Sequence, residues 1–256
     1  MVEAMTVLGL PVSRDRRAKC RWTCAVAGAL VLAAPVVHAE TATPSIGGPG
    51  APPTEVAPES PARGVSVGLR VGYAFPIGSL ATNDSLGSNF GGMLPLWLDA
   101  GYRVSEQVYL GGYFQYGFAF VSSEVCPTPL GCSASDLRFG VDAHWHFRSL
   151  VDPAKALGAF DPWVGLGAGY EIATTRLSLA GTTGHQTNSG FEFGNLQMGG
   201  DYLGLGPVRL GGFAALTLAR YTQQSNSTPG GSLDSAIREP ANHLWFMLGV
   251  RSQYDF

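Results

Sequence analysis

Two histidines stand two residues apart in "DLRFGVDAHWHFR", His144 and His146. In an extended chain, residues two apart point the same way, so both imidazoles face one side. Such a pair can share a metal ion only if another strand brings a further ligand. The sequence marks no such ligand, so hydrogen bonding inside the fold is the expected role, and no metal is assigned. Cys126 and Cys132 in "CPTPLGC" have no histidine beside them and make a poor zinc site. In an exported chain an even pair of cysteines implies a disulfide. A loop this short gains roughly 2 kcal/mol from closure, so the bridge would mainly shape a loop tip. His185 in "GTTGHQTN", His243, Glu171 and several loop serines are the remaining groups with catalytic potential. Hydrolysis needs a serine, a histidine and an acid arranged as a set, or paired carboxylates. No spacing joins these residues, so the expectation is no enzyme, no catalytic residue and no cofactor.

The charged groups are spread through the chain: Arg70, Asp99, Arg103, Arg138, Asp142, Arg148, Glu171, Asp201, Arg209 and Arg251. What must position them is a series of strands. "VSVGLRVGYAF" from Val65 alternates Val, Val, Leu, Val, Tyr and Phe with Ser, Gly, Arg, Gly and Ala. The same period of two recurs in "MLPLWLDAGYRV", "VYLGGYFQYGFAF", "DLRFGVDAHWHFR", "PWVGLGAGYEIA", "VRLGGFAALTLARY" and "HLWFMLGVRSQYDF". A period of two is the signature of a strand with two unlike faces. "FEFGNLQMGGDYL" is less regular, because Phe191 and Phe193 break its parity, and a bulge near Gly194 would account for that. This gives eight strands of about ten to fourteen residues, long for a soluble sheet and long enough to cross a bilayer. "SEQ" at 105–107 and "GLG" at 204–206 are short connections. The segments 76–91, 122–135, 174–189 and 222–242 read as long loops, and 148–160 as an intermediate turn with a short helical piece.

Every charge named above lies on the glycine-bearing parity of its strand. Glycine has no evident use on a wet outer face, whereas inside a narrow barrel it makes room for Arg, Trp and Tyr from neighbouring strands. The polar parity is therefore assigned to the inside and the apolar parity to lipid. Aromatic residues near the strand ends, among them Tyr73, Phe75, Tyr102, Trp145 and Tyr254, then form the interfacial girdles of a transmembrane barrel. Buried charges must be paired. Arg70 with Asp99, and Asp201 with Arg209 across the tight hairpin, are the expected pairs. Those ten charged residues, together with His144 and His146, form the expected lumen network. A lumen filled by its own side chains is the first expectation and a narrow ion path the alternative. A soluble, lipocalin-like barrel with the apolar face inward is a further alternative.

The two ends of the chain add to this. Residues 1–39 carry a basic block (Arg14, Arg16, Arg17, Lys19 and Arg21), the uncharged run "AVAGALVLAAPVV" and small residues before Glu40, a secretory signal pattern. Residues 40–63 are Pro-rich and read as a disordered linker, leaving 64–256 for the barrel. Removing residues 1–39 takes away five of the 16 basic and two of the 19 acidic residues and leaves a net charge of −6. An acidic chain without basic clusters argues against nucleic-acid binding.

A signal peptide, eight amphipathic strands, short turns at one rim, long loops at the other and a terminal aromatic residue together resemble the small outer-membrane β-barrels of Gram-negative bacteria, the OmpA/OmpX/OmpW-like group. The resemblance covers residues 64–256 and lies in pattern rather than in residue identity. It implies an all-β fold, an eight-stranded antiparallel up-and-down transmembrane barrel in the outer membrane, reached by Sec export. It also implies outer-membrane lipid and lipopolysaccharide as surroundings. "LGVRSQYDF" is similar to the group's terminal signal for the barrel-assembly machinery, with Leu248, Val250, Tyr254 and Phe256 at the matching positions. No OmpA-type peptidoglycan-binding domain is recognised. A monomer with a structural or surface-interaction role, contacting an extracellular ligand through its outer loops, is the expected function. A narrow pore or a lipid-modifying enzyme is the alternative.

Overall fold

A computed structural model describes residues 63–81, 84–147, 160–179, 181–205 and 207–256. The signal-peptide reading, nearly all of the linker reading and the 148–159 turn, with Arg148, lie outside the described residues. The elements in chain order are β1 (Gly64–Ala81), β2 (Asp84–Ser85), α1 (Leu86–Asn89), β3 (Phe90–Arg103), β4 (Val108–Val121), β5 (Gly131–His146), β6 (Phe160–Leu179), β7 (Thr182–Leu205), β8 (Val208–Thr228), β9 (Gly231–Ala236) and β10 (Asn242–Asp255).

Strands β1, β3, β4, β5, β6, β7, β8 and β10 pair antiparallel, each with the next in this series, and β10 pairs back onto β1. The ring is closed, with Val71 opposite Val250 and Gly72 opposite Gly249 at the seam. Closure leaves no unpaired backbone edge around the wall, the condition for a sheet to sit in lipid. The backbone amide of Phe256 donates to the carbonyl of Val65 and extends that seam by one bond.

The faces segregate as the alternation requires. Outward residues are apolar and exposed, with Val141 and Leu166 two-thirds open. Inward residues are polar or large, and Arg138, Gln115, Glu171 and Trp97 are almost fully buried. This excludes the lipocalin-like alternative, in which the apolar parity would line the cavity. Outward aromatic rings touch along the outer part of the wall: Phe75 stacks on Phe246, Tyr73 on Phe120, and Tyr170 meets both Phe139 and Phe191.

Glycines on the inward face make the room the sequence demanded of them. The Tyr109 ring lies across Gly101 and Gly111, so that an added Cβ would meet it at 2.7 and 2.2 Å. Trp163 lies across Gly199 and Phe213 across Gly249 in the same way. Eight strands enclose only enough space for side chains, and bulky rings fit because the neighbouring strand offers none.

The outer connections differ from the expected long loops. The segments 174–189 and 222–242 are largely strand: β6 continues to Leu179 and β7 begins at Thr182, and β8 turns at 229–230 into β9. Their Ser/Thr/Asn/Gln composition resembled a loop, but residue after residue pairs across the ladder, from Thr174 with Thr187 to Ser227 with Ser232. A two-residue tip such as 229–230 needs no loop composition elsewhere. The irregularity expected near Gly194 is present as a register shift between Glu192 and Gly194, with further shifts at Ser189/Gly190 and Tyr202/Leu205. Phe191 and Phe193 are both exposed while Glu192 is buried.

Candidate functional site

The lumen is the chemically richest part of the molecule. Among the described residues it buries five arginines, eight carboxylates and three histidines. They form three tiers.

At the rim of the short turns, Arg209 donates to Asp255 at 2.5 Å and to Asp161 at 2.8 Å. His146 Nδ1 lies 3.0 Å from the same Asp161 oxygen, and Ser66 donates to Asp255 at 2.7 Å. Arg251 forms a two-pronged pair with Asp201, and its guanidinium covers the Trp163 ring at 3.8 Å. Arg103 sits more loosely, 3.8 Å from Asp255 and 3.4 Å from the carbonyl of Glu106.

The middle tier centres on Arg70. It donates to both oxygens of Asp99 at 2.6 and 2.7 Å and to Gln197 at 2.6 Å, and it covers Trp97 at 4.6 Å. A fork of parallel donors facing a carboxylate is the strongest geometry an arginine offers. His144 bridges Asp142 at 3.0 Å and Gln197 at 3.2 Å, stacked on Tyr109. Arg70 and Arg251 are direct cross-strand neighbours on β1 and β10. Like charges so placed repel, and each turns to a different acid.

Among the described residues the outer tier has a single arginine. Arg138 donates to Asp136 at 2.7 Å, to Glu171 at 2.9 Å and to Thr217 at 2.9 Å, with Glu192 3.7 Å away. Tyr221 donates to Glu171 at 2.5 Å, His243 Nε2 lies 3.0 Å from the other Glu171 oxygen, and Tyr113 donates to Glu192 at 2.7 Å. Leu80, Leu86, Phe90, Met93 and Met247 belong to a cluster of buried apolar side chains that also takes in Trp97 and Trp245. One crevice in the lumen, lined by residues that include Gly68, Arg70, Asp99, Tyr109, His144 and Arg251, is too narrow for a water molecule.

Of the twelve residues assigned to the lumen from sequence, eleven are buried there and Arg148 lies outside the described residues. Arg70 and Asp99 pair as expected. Asp201 and Arg209 do not. In the β7–β8 register Asp201 faces Gly211, and Gly211 faces Arg251 on β10. With no side chain at Gly211, where an added Cβ would stand 2.3 Å from Asp201, Arg251 reaches across to Asp201 and leaves Arg209 to Asp161 and Asp255.

His144 and His146 lie in different tiers, each with its own carboxylate, and no group of three metal-ligating side chains occurs among the described residues. Cys126 and Cys132 form a disulfide with Cα atoms 6.1 Å apart. His243 and Glu171, met first as isolated catalytic candidates, touch each other inside the lumen, while His185 lies on the outer part of β7.

Five further lumen acids or bases lie outside those twelve: Asp255, which shares the parity of Arg251, and Asp136, Asp161, Glu192 and His243. Asp136 shares the parity of Arg138 and could have been found from it. Asp161 fell at the edge of an expected turn, Glu192 in the parity break and His243 at the edge of an expected loop.

No protein-family model matches the chain, and no curated protein matches it. Solved structures similar to it include the neisserial surface protein A (14% identity, TM-score 0.43, covering 78% of this chain and all of that one). Others are a major outer membrane protein of Thermus thermophilus (12%, 0.43, 74% and 99%) and the outer membrane protein OprG of Pseudomonas aeruginosa (12%, 0.40, 75% and 97%). At such scores it is the closed ring and the in–out segregation of side chains that identify the fold. On those two features the chain is an eight-stranded antiparallel up-and-down β-barrel of transmembrane type, the architecture of the small outer-membrane barrel proteins.

Proposed function

We propose that this chain is a Gram-negative outer-membrane barrel with an occluded lumen, whose working surface is its outer rim. The observation that supports this most is the three-tier ion-pair network, packed among buried apolar side chains. Desolvated charges that are paired with one another and closely packed leave no path for a hydrated ion. The lumen then acts as a core that holds the wall in register, and the parts free to meet a partner are the protruding hairpins and the disulfide-shaped 122–130 loop. Under this reading residues 1–39 direct Sec export, residues 40–63 link, and the barrel-assembly machinery inserts the rest. The role is not enzymatic: the His243–Glu171 pair is already engaged by Tyr221 and Arg138.

Two measurements test the reading. The refolded protein should require detergent and change its gel mobility on boiling; extraction in plain buffer would overturn the membrane assignment. In planar bilayers the inserted protein should give no conductance steps, whereas regular unitary steps would replace the occluded reading with the narrow pore. Lipid A deacylation and peptide-cleavage assays are expected to show no turnover.

A further inference from the structure

The wall is lopsided at its outer end. On β4 the outward residues Phe118 and Phe120 run to within one residue of the strand end at Val121. On the other side, β6, β7 and β8 continue well past the last outward apolar residues.

On β6 the outward parity passes from Tyr170 and Ile172 to Thr174 and Arg176. On β7 it passes from Phe191 to Ser189, Thr187 and His185. Tyr170 donates to Ser189 at 3.1 Å, and Thr174 and Thr187 meet at 3.3 Å, so hydroxyl groups begin where the aromatic rings end. On β8 the first polar residue to face outward after Leu216 and Leu218 is Arg220, held by Asn242 at 2.8 Å. Arg176 and His185 are direct cross-strand neighbours. They lie six residues beyond Tyr170, about 20 Å further along the strand.

Among the described residues no carboxylate lies within ion-pair distance of Arg176, His185 or Arg220. The one acid on this extended face is Asp234 on β9, opposite Ser225.

We infer that the outward face of β6–β8 beyond the aromatic rings is a docking surface for an acidic glycolipid of the outer leaflet. The inference rests on the outer-membrane reading above. Acyl chains lie against the apolar wall. A phosphate at the head of the lipid meets Arg220 at the apolar–polar boundary, where cations face membrane phosphates. The anionic sugars beyond it run along the hydroxyl rows to Arg176 and His185. Two arginines and a histidine without acidic partners, on a surface continuous with the lipid face, supply the charge complementarity.

The test uses the full chain folded in dodecylmaltoside, with competition against a fluorescent rough lipopolysaccharide. Three competitors are compared: rough lipopolysaccharide, bisphosphorylated lipid A without sugars, and dephosphorylated lipopolysaccharide. Affinity should fall in that order. Arg220→Gln should weaken both phosphorylated ligands about fivefold, the worth of one interfacial cation, and Arg220→Lys should retain most binding. The double variant R176Q/H185Q should weaken rough lipopolysaccharide while leaving lipid A unchanged. Equal binding of the dephosphorylated lipid, or wild-type affinity in both the Arg220→Gln and double variants, would overturn the inference. A double variant that loses nothing would overturn its sugar-binding half. These failures, seen in a barrel that still shows heat-modifiable mobility, leave the membrane reading intact; a chain that stays soluble without detergent removes both.

Discussion

The inner and outer tiers of the lumen solve one problem in different ways. Among the described residues, three arginines at the inner rim, Arg103, Arg209 and Arg251, share space with three aspartates, Asp161, Asp201 and Asp255, so cation and anion numbers match. In the outer tier, among the described residues, Arg138 alone faces Asp136, Glu171 and Glu192; Tyr113 donates to Glu192, Tyr221 donates to Glu171, His243 contacts Glu171, and Thr217 accepts from Arg138. The inner rim spreads its charge, so that Asp255 accepts from both Arg209 and Ser66 and tolerates losing a partner. The outer tier has no substitute for its single arginine. Burial of a charge costs several kcal/mol unless it is paired, so stability is concentrated at one residue outside and distributed over several inside.

The comparison can be broken at its strongest point first. Arg138→Gln leaves three carboxylates without their arginine in a buried site and should cost about 3–5 kcal/mol in urea unfolding from detergent micelles. A loss below about 1 kcal/mol would show that the tier does not depend on Arg138.

Gly211→Val should cost about 1–3 kcal/mol by overpacking, since its Cβ would stand 2.3 Å from Asp201 and block the reach of Arg251. Intrinsic tryptophan emission should shift with it, because Arg251 covers Trp163. An unchanged spectrum and midpoint would argue against the bridging role of that glycine.

In the Arg138→Gln background, adding Glu192→Gln removes one excess charge and should restore about 1 kcal/mol or more, read as a non-additive double-mutant cycle. Strict additivity would mean that the two groups are not coupled. The smallest effect is expected for Arg103→Gln, about 1 kcal/mol or less, because its contacts at 3.8 and 3.4 Å are long. A cost matching that of Arg138→Gln would erase the difference between the tiers.

How much of this was legible in the chain varies with the kind of question. The faces of β5 follow from "DLRFGVDAHWHF" alone, because each side chain's side of the sheet is set by parity. The burial of Arg138, Asp142, His144 and His146 follows with it. The pairing of Asp201 was not legible. Sequence proximity across the hairpin suggested Arg209, but the stagger between β7 and β8 sets Asp201 against Gly211 instead. Glu192 was hidden because a bulge shifts parity locally, and a period-two reading cannot say on which side of the shift a residue falls. The protruding parts of β6–β8 were hidden for another reason. Their Ser, Thr, Asn and Gln residues carry no hydrophobic alternation, and strand structure there comes from ladder hydrogen bonds that composition does not report.

By itself the sequence determined the element type, the two faces of each strand and which of them is polar. It did so because a strand has only two sides and because an unpaired charge cannot face lipid. Tertiary structure decided which charge meets which. That depends on the stagger between neighbouring strands and on where a glycine opens a path across a third, and both are properties of the closed ring rather than of any one strand.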